Sequence, residues 1–557
     1  MRLIILPILL SIILSANSAA WDMRGNIYPV ENGIVEWTAE NFAGFNNLGS
    51  ESLRLNISDE QIDVKKAVYR SGIQERVFAH RDWGYYSTLS FLGKEYFIGY
   101  PDACRIAEPL SLLSFGSGSL GKVLIDSDES YTISSNEALP LQDGFSLKLS
   151  DAEDGVKISL HKADNIVDSQ VLLTPSDYIF KASIGDEAAA LIIVGIKGNV
   201  RLEPESFYTI RGLFQLSEET DPIDMGKDFG EMQVAAISDT DIELDNPRAI
   251  SLSNGQDFEL MDCIRIRTSD INASSNQLCI YMNSTNSDVA EIRGELASGS
   301  FSWTPQNFAG FNYDMNCSLG AEEITATITD GYKLFEPDGV TYRTVAQQKG
   351  FEFEDWGRYN AISFLGERCL ASYMEDGPLS IDSESSLLSD EVLGRVLIDS
   401  NENRLIADGD NLSLEDGIQA KIRVDKSCNV AFIELYKDGV LIDRDYFQVP
   451  NTYTYKRTFA RIGGEITVLA IHIAQADCTQ NKSILVDGIF QISEDLVDIS
   501  ENAEYDKMTV QTVTSDYLIM NNEDNDIRLG KNTDTVLAGN YRIKTIDRGE
   551  LWYYIYE

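Results

Sequence analysis

The apolar residues of this chain follow the spacing of β-strands. Residues 191–194, Leu-Ile-Ile-Val, form a short continuous apolar run, which is typical of a strand buried on both faces. Tyr453, Tyr455 and Phe459 fall at even spacing, as in a strand that buries only one face. No segment keeps an apolar stripe at the helical period of about 3.6 residues. The pattern therefore predicts an all-β fold.

Asp-Gly pairs between the apolar runs predict where the strands turn. They stand at 143–144, 416–417 and 438–439. A tight hairpin turn needs residues that adopt a positive φ, and Asp-Gly is among the pairs that do so most readily. We expect a hairpin at each of these positions.

The same motifs recur, in the same order, in both halves of the chain. The hexapeptide Asn-Phe-Ala-Gly-Phe-Asn at 41–46 returns identically at 307–312. Further matches are Asp-Trp-Gly at 82 and 355, Ser-Phe-Leu-Gly at 90 and 363, Val-Leu-Ile-Asp-Ser at 123 and 396, and Gly-Leu/Ile-Phe-Gln at 212 and 488. A repeat in constant order indicates a tandem duplication. We predict a first repeat at 21–288 and a second at 289–557.

Each repeat is too long for one ordinary β-sandwich. A copy of about 270 residues exceeds the roughly 100 residues of a single sandwich. We therefore expect each repeat to be built from two packed β-sandwich subdomains.

The N-terminus carries the features of an export signal. Met1 and Arg2 give a short positive start, 3–14 is almost entirely apolar, and small residues follow at 15–20. An apolar stretch of this length is short for a bilayer core of about 30 Å. We predict a signal peptide at 1–20, with an uncleaved anchor as the alternative, and an extracellular location. No later apolar run is long enough to predict a transmembrane anchor.

The charge balance limits the partners of the protein. The 557 residues include 45 Lys and Arg against 89 Asp and Glu, a formal net charge of −44. Nucleic acid and anionic lipid require clustered basic residues, so neither is an expected partner. An acidic surface attracts cations and favours solubility, and general solvation is an equally simple explanation. We expect no cofactor, although Ca²⁺ or Mg²⁺ could act at intermolecular contacts.

Taken together, the duplicated motifs resemble a known family. Asn-Phe-Ala-Gly-Phe-Asn-Tyr-Asp at 307–314, the Asp-Trp-Gly element, Val-Leu-Ile-Asp and Gly-Ile-Phe-Gln-Ile-Ser at 488–493 are similar to the S-layer duplication-domain proteins of methanogenic archaea. The resemblance covers essentially the whole chain after residue 20. It implies a surface-layer glycoprotein with β-sandwich repeats that tiles the cell as a porous, negatively charged sheet. The implied partner is the protein itself in a homo-oligomeric lattice, with other envelope components and glycans possible.

One feature departs from that family. Its layer-forming members continue into an acidic tether and a C-terminal membrane helix, whereas this sequence ends at 551–557 in what we predict to be a strand. The resemblance thus leaves open a paralogue without an anchor or a truncated sequence.

Several duplicated residues are expected to be structural. Tryptophans could stack on sugars, but positions kept in both copies of a fold more often serve packing. Asn beside glycine more often binds its own backbone in a turn. The signature residues are Trp37, Asn41, Gly44, Trp83, Gly84, Trp303, Asn307, Gly310, Trp356 and Gly357.

Six Asn-x-Ser/Thr sequons offer possible N-glycosylation sites on an exported protein. They are at Asn56, Asn272, Asn283, Asn316, Asn411 and Asn481. Chance alone would place a handful in a chain of this composition, so their number is not evidence of use.

Three local patterns point only weakly to ligands. The acidic segments 126–129 and 399–402 carry oxygens that Ca²⁺ prefers, but a solvated acidic turn is the favoured interpretation. Gly-x-Gly-x-x-Gly at 116–121 precedes a predicted strand and not the helix that phosphate binding needs. The seven cysteines include no Cys-x-x-Cys, and Cys263 and Cys279 could face each other across a hairpin.

Catalysis has little support in the sequence. His80, His161 and His472 are isolated, and neither His-Glu-x-x-His nor a Gly-x-Ser-x-Gly elbow occurs. We expect no enzyme, although a carboxylate pair like that of glycosidases stays open. The favoured function is a self-associating envelope component that forms an acidic protective and sieving coat. The alternative is a secreted or surface glycan-binding adhesin or matrix protein that forms no lattice.

Overall fold

The structure is a computed structural model. It describes residues 23–46, 49–58, 63–163, 165–184, 187–202, 205–270, 276–282, 291–328, 333–334, 339–374, 378–379, 386–478, 482–523, 525–547 and 550–557. The predicted signal peptide at 1–20 lies outside these residues.

Strands form nearly all of the regular structure, and the described ladders are antiparallel. The helical elements among the described residues are two short 3₁₀ turns, Arg81–Trp83 and Glu354–Trp356. The all-β prediction is therefore confirmed.

Among the described residues, the strands of the first repeat form three sheets. The five-stranded sheet consists of Met23–Arg24, Gln277–Met282, Ile264–Thr268 and Asp257–Met261, with Tyr28–Pro29 beside Gln277–Met282. The 15-stranded sheet has the main order Ser176–Ile184, Glu187–Leu202, Glu205–Asp224, Ser117–Ser134, Lys94–Tyr100, Tyr85–Phe91, Asp63–Val77, Asp241–Asp245, Met232–Ile237 and Asp228–Phe229. Its side branches are Gly33–Thr38, Ser52–Ser58, Leu110–Ser111, Leu113–Ser114 and Ile250–Ser251. The four-stranded sheet has the order Ala138–Pro140, Phe145–Ala152, Gly155–Lys162 and Asn165–Leu172.

The second repeat follows the same plan with its sheets divided. A six-stranded sheet has the order Phe301–Trp303, Glu323–Ala326, Val340–Val345, Tyr517–Asn521, Met508–Val513 and Glu504–Tyr505. A nine-stranded sheet has Gln347–Gly350, Arg358–Phe364, Glu367–Tyr373, Val392–Ser400, Ser483–Ile492, Glu465–Asp477 and Asn451–Thr458, with Arg404–Ala407 and Val497–Asp498 at its side. The four-stranded sheet is Asn411–Ser413, Ile418–Val424, Val430–Lys437 and Val440–Gln448. The three-stranded sheet is Asp534–Ala538, Tyr541–Asp547 and Leu551–Tyr556, and Lys333–Leu334 pairs with Ile527–Arg528.

Among the described residues, the first repeat encloses two main hydrophobic cores. In the first repeat, side chains such as Ile266 of the five-stranded sheet pack with residues such as Leu55 of the large sheet. A second core joins residues such as Ile158 of the four-stranded sheet to Ile192 of the strand Glu187–Leu202. We call these sandwiches subdomain A and subdomain B. The prediction of two packed sandwiches is confirmed.

The second repeat has the same two sandwiches. Its subdomain A lies between the six-stranded and three-stranded sheets, with buried residues such as Val510 and Ile543. Its subdomain B joins Ile422 and Ile433 of the four-stranded sheet to Ile471.

The chain divides into two compact units, Met1–Thr268 with Leu278–Ala290, and Ser269–Gln277 with Glu291–Glu557. The repeat limits 21–288 and 289–557 stay a prediction, because 283–290 lies outside the described residues.

A disulfide joins Cys428 to Cys478 in subdomain B of the second repeat. The expectation that Cys263 and Cys279 face each other is wrong, because Cys279 lies opposite Arg267 in its ladder and Cys263 lies in the turn before Ile264–Thr268. The residues involved in the disulfide lie 50 positions apart, beyond the reach of hairpin reasoning.

Candidate functional site

A buried carboxylate holds subdomain A of the first repeat together. Glu51 is only 1% exposed. Its Oε1 accepts hydrogen bonds from the Tyr69 hydroxyl at 2.8 Å and the Gly93 N–H at 2.8 Å, and its Oε2 accepts one from the Asn46 N–H at 3.1 Å. Asn46 ends the duplicated hexapeptide and Gly93 ends Ser-Phe-Leu-Gly. One carboxylate therefore joins two motifs that are distant in sequence.

The second repeat builds the same arrangement around Glu322. Its Oε1 accepts from the Tyr342 hydroxyl at 2.9 Å and the Gly366 N–H at 2.9 Å, while its Oε2 accepts from the Asn312 N–H at 3.1 Å. Burial raises the pKa of Glu322 to about 7, because loss of solvent disfavours the charged form more than the hydrogen bonds favour it. Burial also raises the pKa of Glu51.

Neither carboxylate stands out in the amino-acid sequence. Each stands just before the strand that follows the hexapeptide, in Ser-Glu-Ser-Leu at 50–53 and Ala-Glu-Glu-Ile at 321–324. The segment between the hexapeptide and this glutamate is longer in the second repeat than in the first. The two glutamates therefore do not fall at matching positions when the repeats are aligned on their motifs. The sequence feature that could have identified them is an acidic residue just before the same strand in both repeats.

We call the turn that holds the signature residues Trp37, Asn41 and Gly44 the first signature corner. Trp37 is fully buried and its Nε1 donates to the backbone oxygen of Asn26 at 2.8 Å. Asn41 Oδ1 accepts from the Thr38 N–H at 2.7 Å, so this side chain binds its own turn. Gly44 lies under the Phe42 ring, because a Cβ at Gly44 would stand 2.4 Å from Phe42 Cζ.

The second repeat repeats this corner. Trp303 is buried and donates to the backbone oxygen of Glu295 at 2.8 Å. Asn307 Oδ1 accepts from the Thr304 N–H at 2.7 Å. Gly310 lies under the ring of Phe308, again with 2.4 Å to Cζ from an added Cβ.

The second signature corner is the Trp-Gly turn of each repeat. Trp83 ends the 3₁₀ turn Arg81–Trp83, and its Nε1 donates to Asp177 Oδ1 at 3.2 Å. Gly84 follows with φ +86°, a conformation that favours glycine.

In the second repeat, Trp356 Nε1 donates to Thr452 Oγ1 at 3.1 Å, and Gly357 has φ +77°. The four signature tryptophans are at most 2% exposed, so their rings offer no face for sugar stacking.

The acidic segment after Val-Leu-Ile is structural. Asp126 Oδ1 accepts from the Ala79 N–H at 2.9 Å and its Oδ2 from the Tyr86 hydroxyl at 3.1 Å. The residue lies inside the strand Ser117–Ser134. The favoured interpretation as a solvated acidic turn is therefore wrong for this segment, because the carboxylate anchors a neighbouring loop.

Asp399 does the same in the second repeat. Its carboxylate accepts from the Glu352 N–H at 2.9 Å and the Tyr359 hydroxyl at 3.0 Å, and it lies 3.3 Å from Lys349 Nζ. Among the described residues, no group of three or more His, Cys, Asp and Glu is arranged to hold a metal ion.

Two of the histidines also bind carboxylates within the fold. His80 is 5% exposed, and its Nδ1 lies 2.5 Å from Asp128 Oδ1. His472 Nδ1 lies 2.5 Å from Asp487 Oδ1, and its ring stacks on Phe353 with centroids 4.4 Å apart. The third, His161, lies on the four-stranded sheet of the first repeat.

Three of the six sequons fall on described residues. Asn56, Asn316 and Asn411 are exposed. Asn272, Asn283 and Asn481 lie outside the described residues.

Comparison with known families identifies the fold that these corners hold. The family described as "S-layer protein" matches this chain twice, over residues 28–270 and 293–547. The chain belongs to the S-layer protein family. The resemblance inferred from the motifs is confirmed, and as a member of this family the protein is a structural component of the cell surface.

Individual S-layer proteins match over most of their length. The "Major S-layer protein" of Methanosarcina mazei is 24% identical over 93% of this chain and 80% of the relative. The protein of the same name from Methanosarcina barkeri is 25% identical over 98% of this chain and 84% of its own length. That of Methanosarcina acetivorans is 24% identical over 98% and 86%.

Within the part of the chain that the structure describes, no helix has the length and apolar character needed to cross a membrane.

Proposed function

We propose that copies of this chain assemble into a lattice that forms an acidic protective and sieving coat outside the cell. The observation that carries the proposal is the match of both repeats to the S-layer family. The net charge of −44 supports a coat that excludes anions and attracts cations.

The coat acts without catalysis. The duplicated polar residues bind one another or the backbone: Glu51 and Glu322 join motifs, and Asp126 and Asp399 anchor loops. The polar residues shared by the two repeats thus hold the fold together.

Export, glycosylation and cation binding complete the proposal. The segment 1–20 directs secretion, and the exposed Asn56 and Asn316 are available to carry glycans. Ca²⁺ or Mg²⁺ assists assembly by bridging carboxylates on facing acidic surfaces. Other envelope components are further partners.

The glycan-binding adhesin has no comparable support. The four signature tryptophans, which could have served as sugar platforms, are buried.

The test is electron microscopy of purified residues 21–557, with and without millimolar Ca²⁺ or Mg²⁺. Ordered two-dimensional sheets are the expected result. Dispersed monomers under every condition, together with absence of the protein from the envelope fraction of its host, would contradict the proposal.

A further inference from the structure

The four-stranded sheet of the first repeat has two unlike faces. The strand Phe145–Ala152 buries Leu147 and Leu149 in the core, so that Lys148 between them points outward. Along the next strand Lys157 is exposed, and the ladder sets it opposite Val171. His161 points the same way, and no outward residue of these strands is Asp or Glu.

The second repeat presents an equivalent face. On the strand Ile418–Val424, Lys421 and Arg423 alternate with buried residues, and Arg444 lies two strands away on the same side. The one acid among the outward residues is Glu434, which lies 3.7 Å from Arg423. We call these two surfaces the basic faces.

Their charge is opposite to that of the chain. The chain has 89 acidic residues against 45 Lys and Arg, whereas the basic faces together carry five Lys and Arg against one acid. Among the described residues, no carboxylate lies within ion-pair distance of four of these cations: Lys148, Lys157, Lys421 and Arg444.

Some arginines on other sheets of the same molecule are ion-paired internally. Arg54 lies 3.0 Å from Glu36, and Arg265 lies 2.7 Å from Asp257. Four of the five cations of the basic faces have no such partner among the described residues, whereas Arg423 lies near Glu434.

Apolar side chains stand beside these cations. Ile166 is 62% exposed and Val171 54% on the first face, and Tyr446 is 73% exposed on the second. Apolar side chains next to unpaired charge are a composition that protein–protein contacts use, since the apolar atoms contribute burial and the charges set orientation.

We propose that the basic face of each repeat is the surface on which a second copy of this chain docks through its acidic surface. The proposal rests on the proposed function, because it names the contact through which the coat assembles. The second copy supplies the complementary charge in exposed acidic segments, 219–231 in the first repeat and 495–506 in the second. Opposite charges at such a contact attract and replace the repulsion expected between two acidic surfaces.

The experiment reverses the charge of the basic faces in the full chain. One variant is Lys148→Glu with Lys157→Glu, and the other is Lys421→Glu with Arg444→Glu. The matched control is Lys65→Glu with Lys66→Glu, an exposed pair that also changes the net charge by four.

Purified wild-type and variant proteins are compared for sheet formation by electron microscopy and sedimentation. Circular dichroism and thermal melting verify that these substitutions leave the fold intact. Each basic-face variant should need about tenfold more protein to assemble, whereas the control assembles like the wild type. Assembly of the wild type should also weaken with monovalent salt, which screens exposed charges.

Two results would overturn the inference. One is normal assembly of both basic-face variants, and the other is an equal loss in the control, which would mean that net charge alone matters. Failure of the wild type to assemble is distinguishable from both. It would refute the proposed function, and the contact that rests on it.

A glycosylation site gives an independent test. Asn411 lies opposite Lys421 in the ladder and is exposed on the basic face of the second repeat. A glycan there would occupy the contact, so Asn411 should be unmodified in layers isolated from the native host. Mass spectrometry showing a glycan at Asn411 throughout the layer would exclude this face as a contact.

Discussion

Replacing Glu322 by glutamine perturbs the buried carboxylate without changing its size. The amide oxygen can keep the bonds from the Tyr342 hydroxyl and the Gly366 N–H, which share one carboxylate oxygen. The amide nitrogen then faces the Asn312 N–H, a donor against a donor. A buried N–H left without an acceptor costs about 1–3 kcal/mol, so the variant loses stability by this amount when the wild-type carboxyl is protonated.

The stability of the wild type itself decreases as pH rises, which offsets this difference at higher pH. Burial raises the pKa of Glu322 to about 7, above its ordinary value of 4.5. The folded state therefore binds the proton more tightly than the unfolded state, and stability is fully present below pH 4.5. Stability falls as pH rises from there to about 7, by about 3 kcal/mol in total. Glutamine does not titrate, so the stability of the variant lacks this pH-dependent contribution.

The stability difference between wild type and variant must then change with pH. At pH 4.5 Glu322→Gln should be less stable, and by pH 8 the difference should vanish or reverse. Urea unfolding of the second repeat at several pH values measures it, and subtraction cancels the titration of other acids. Glu323→Gln, at the partly exposed neighbour, is the control for the change from glutamate to glutamine itself. Parallel curves for wild type and Glu322→Gln would refute the reasoning.

Further substitutions test other parts of the structure. Cys428→Ser, or reduction of the wild type, removes a link across 50 residues and should cost the second repeat about 2–4 kcal/mol in urea unfolding; equal stability with and without reductant would contradict this. Gly488→Ala places a Cβ 2.7 Å from Cγ of Phe353 and should cost about 1–3 kcal/mol, whereas Gly198→Ala, with no atom within 4 Å, should change thermal stability little; similar melting shifts for both would count against it. Asn307→Ala leaves a turn N–H without its acceptor and should lower stability by about 1 kcal/mol in the same assay; an unchanged midpoint would show that water replaces the side chain.

The two-residue spacing of apolar side chains and the duplicated motifs were sufficient to predict the all-β fold and the tandem duplication. Alternation along a strand decides which side chains face the core, as at Leu147 and Leu149 around Lys148. Duplication made the signature positions visible, because two copies of one fold keep the residues that hold its corners.

Pairing between distant residues was decided by the tertiary structure. Glu51 and Glu322 could not be told from the other acids of the sequence, because their burial depends on turns that meet only in the folded chain. The basic faces required the strand registers, which set Lys157 beside Val171 and on the side of the sheet away from the core.

The cysteines show the same limit. Proximity in sequence suggested Cys263 with Cys279, but the ladder sets Arg267 opposite Cys279. Local geometry and repetition could be inferred from the amino-acid sequence, since both follow from neighbouring residues. Which charges, thiols and carboxylates meet became apparent in the folded chain, because contacts across sheets depend on register and packing throughout each repeat.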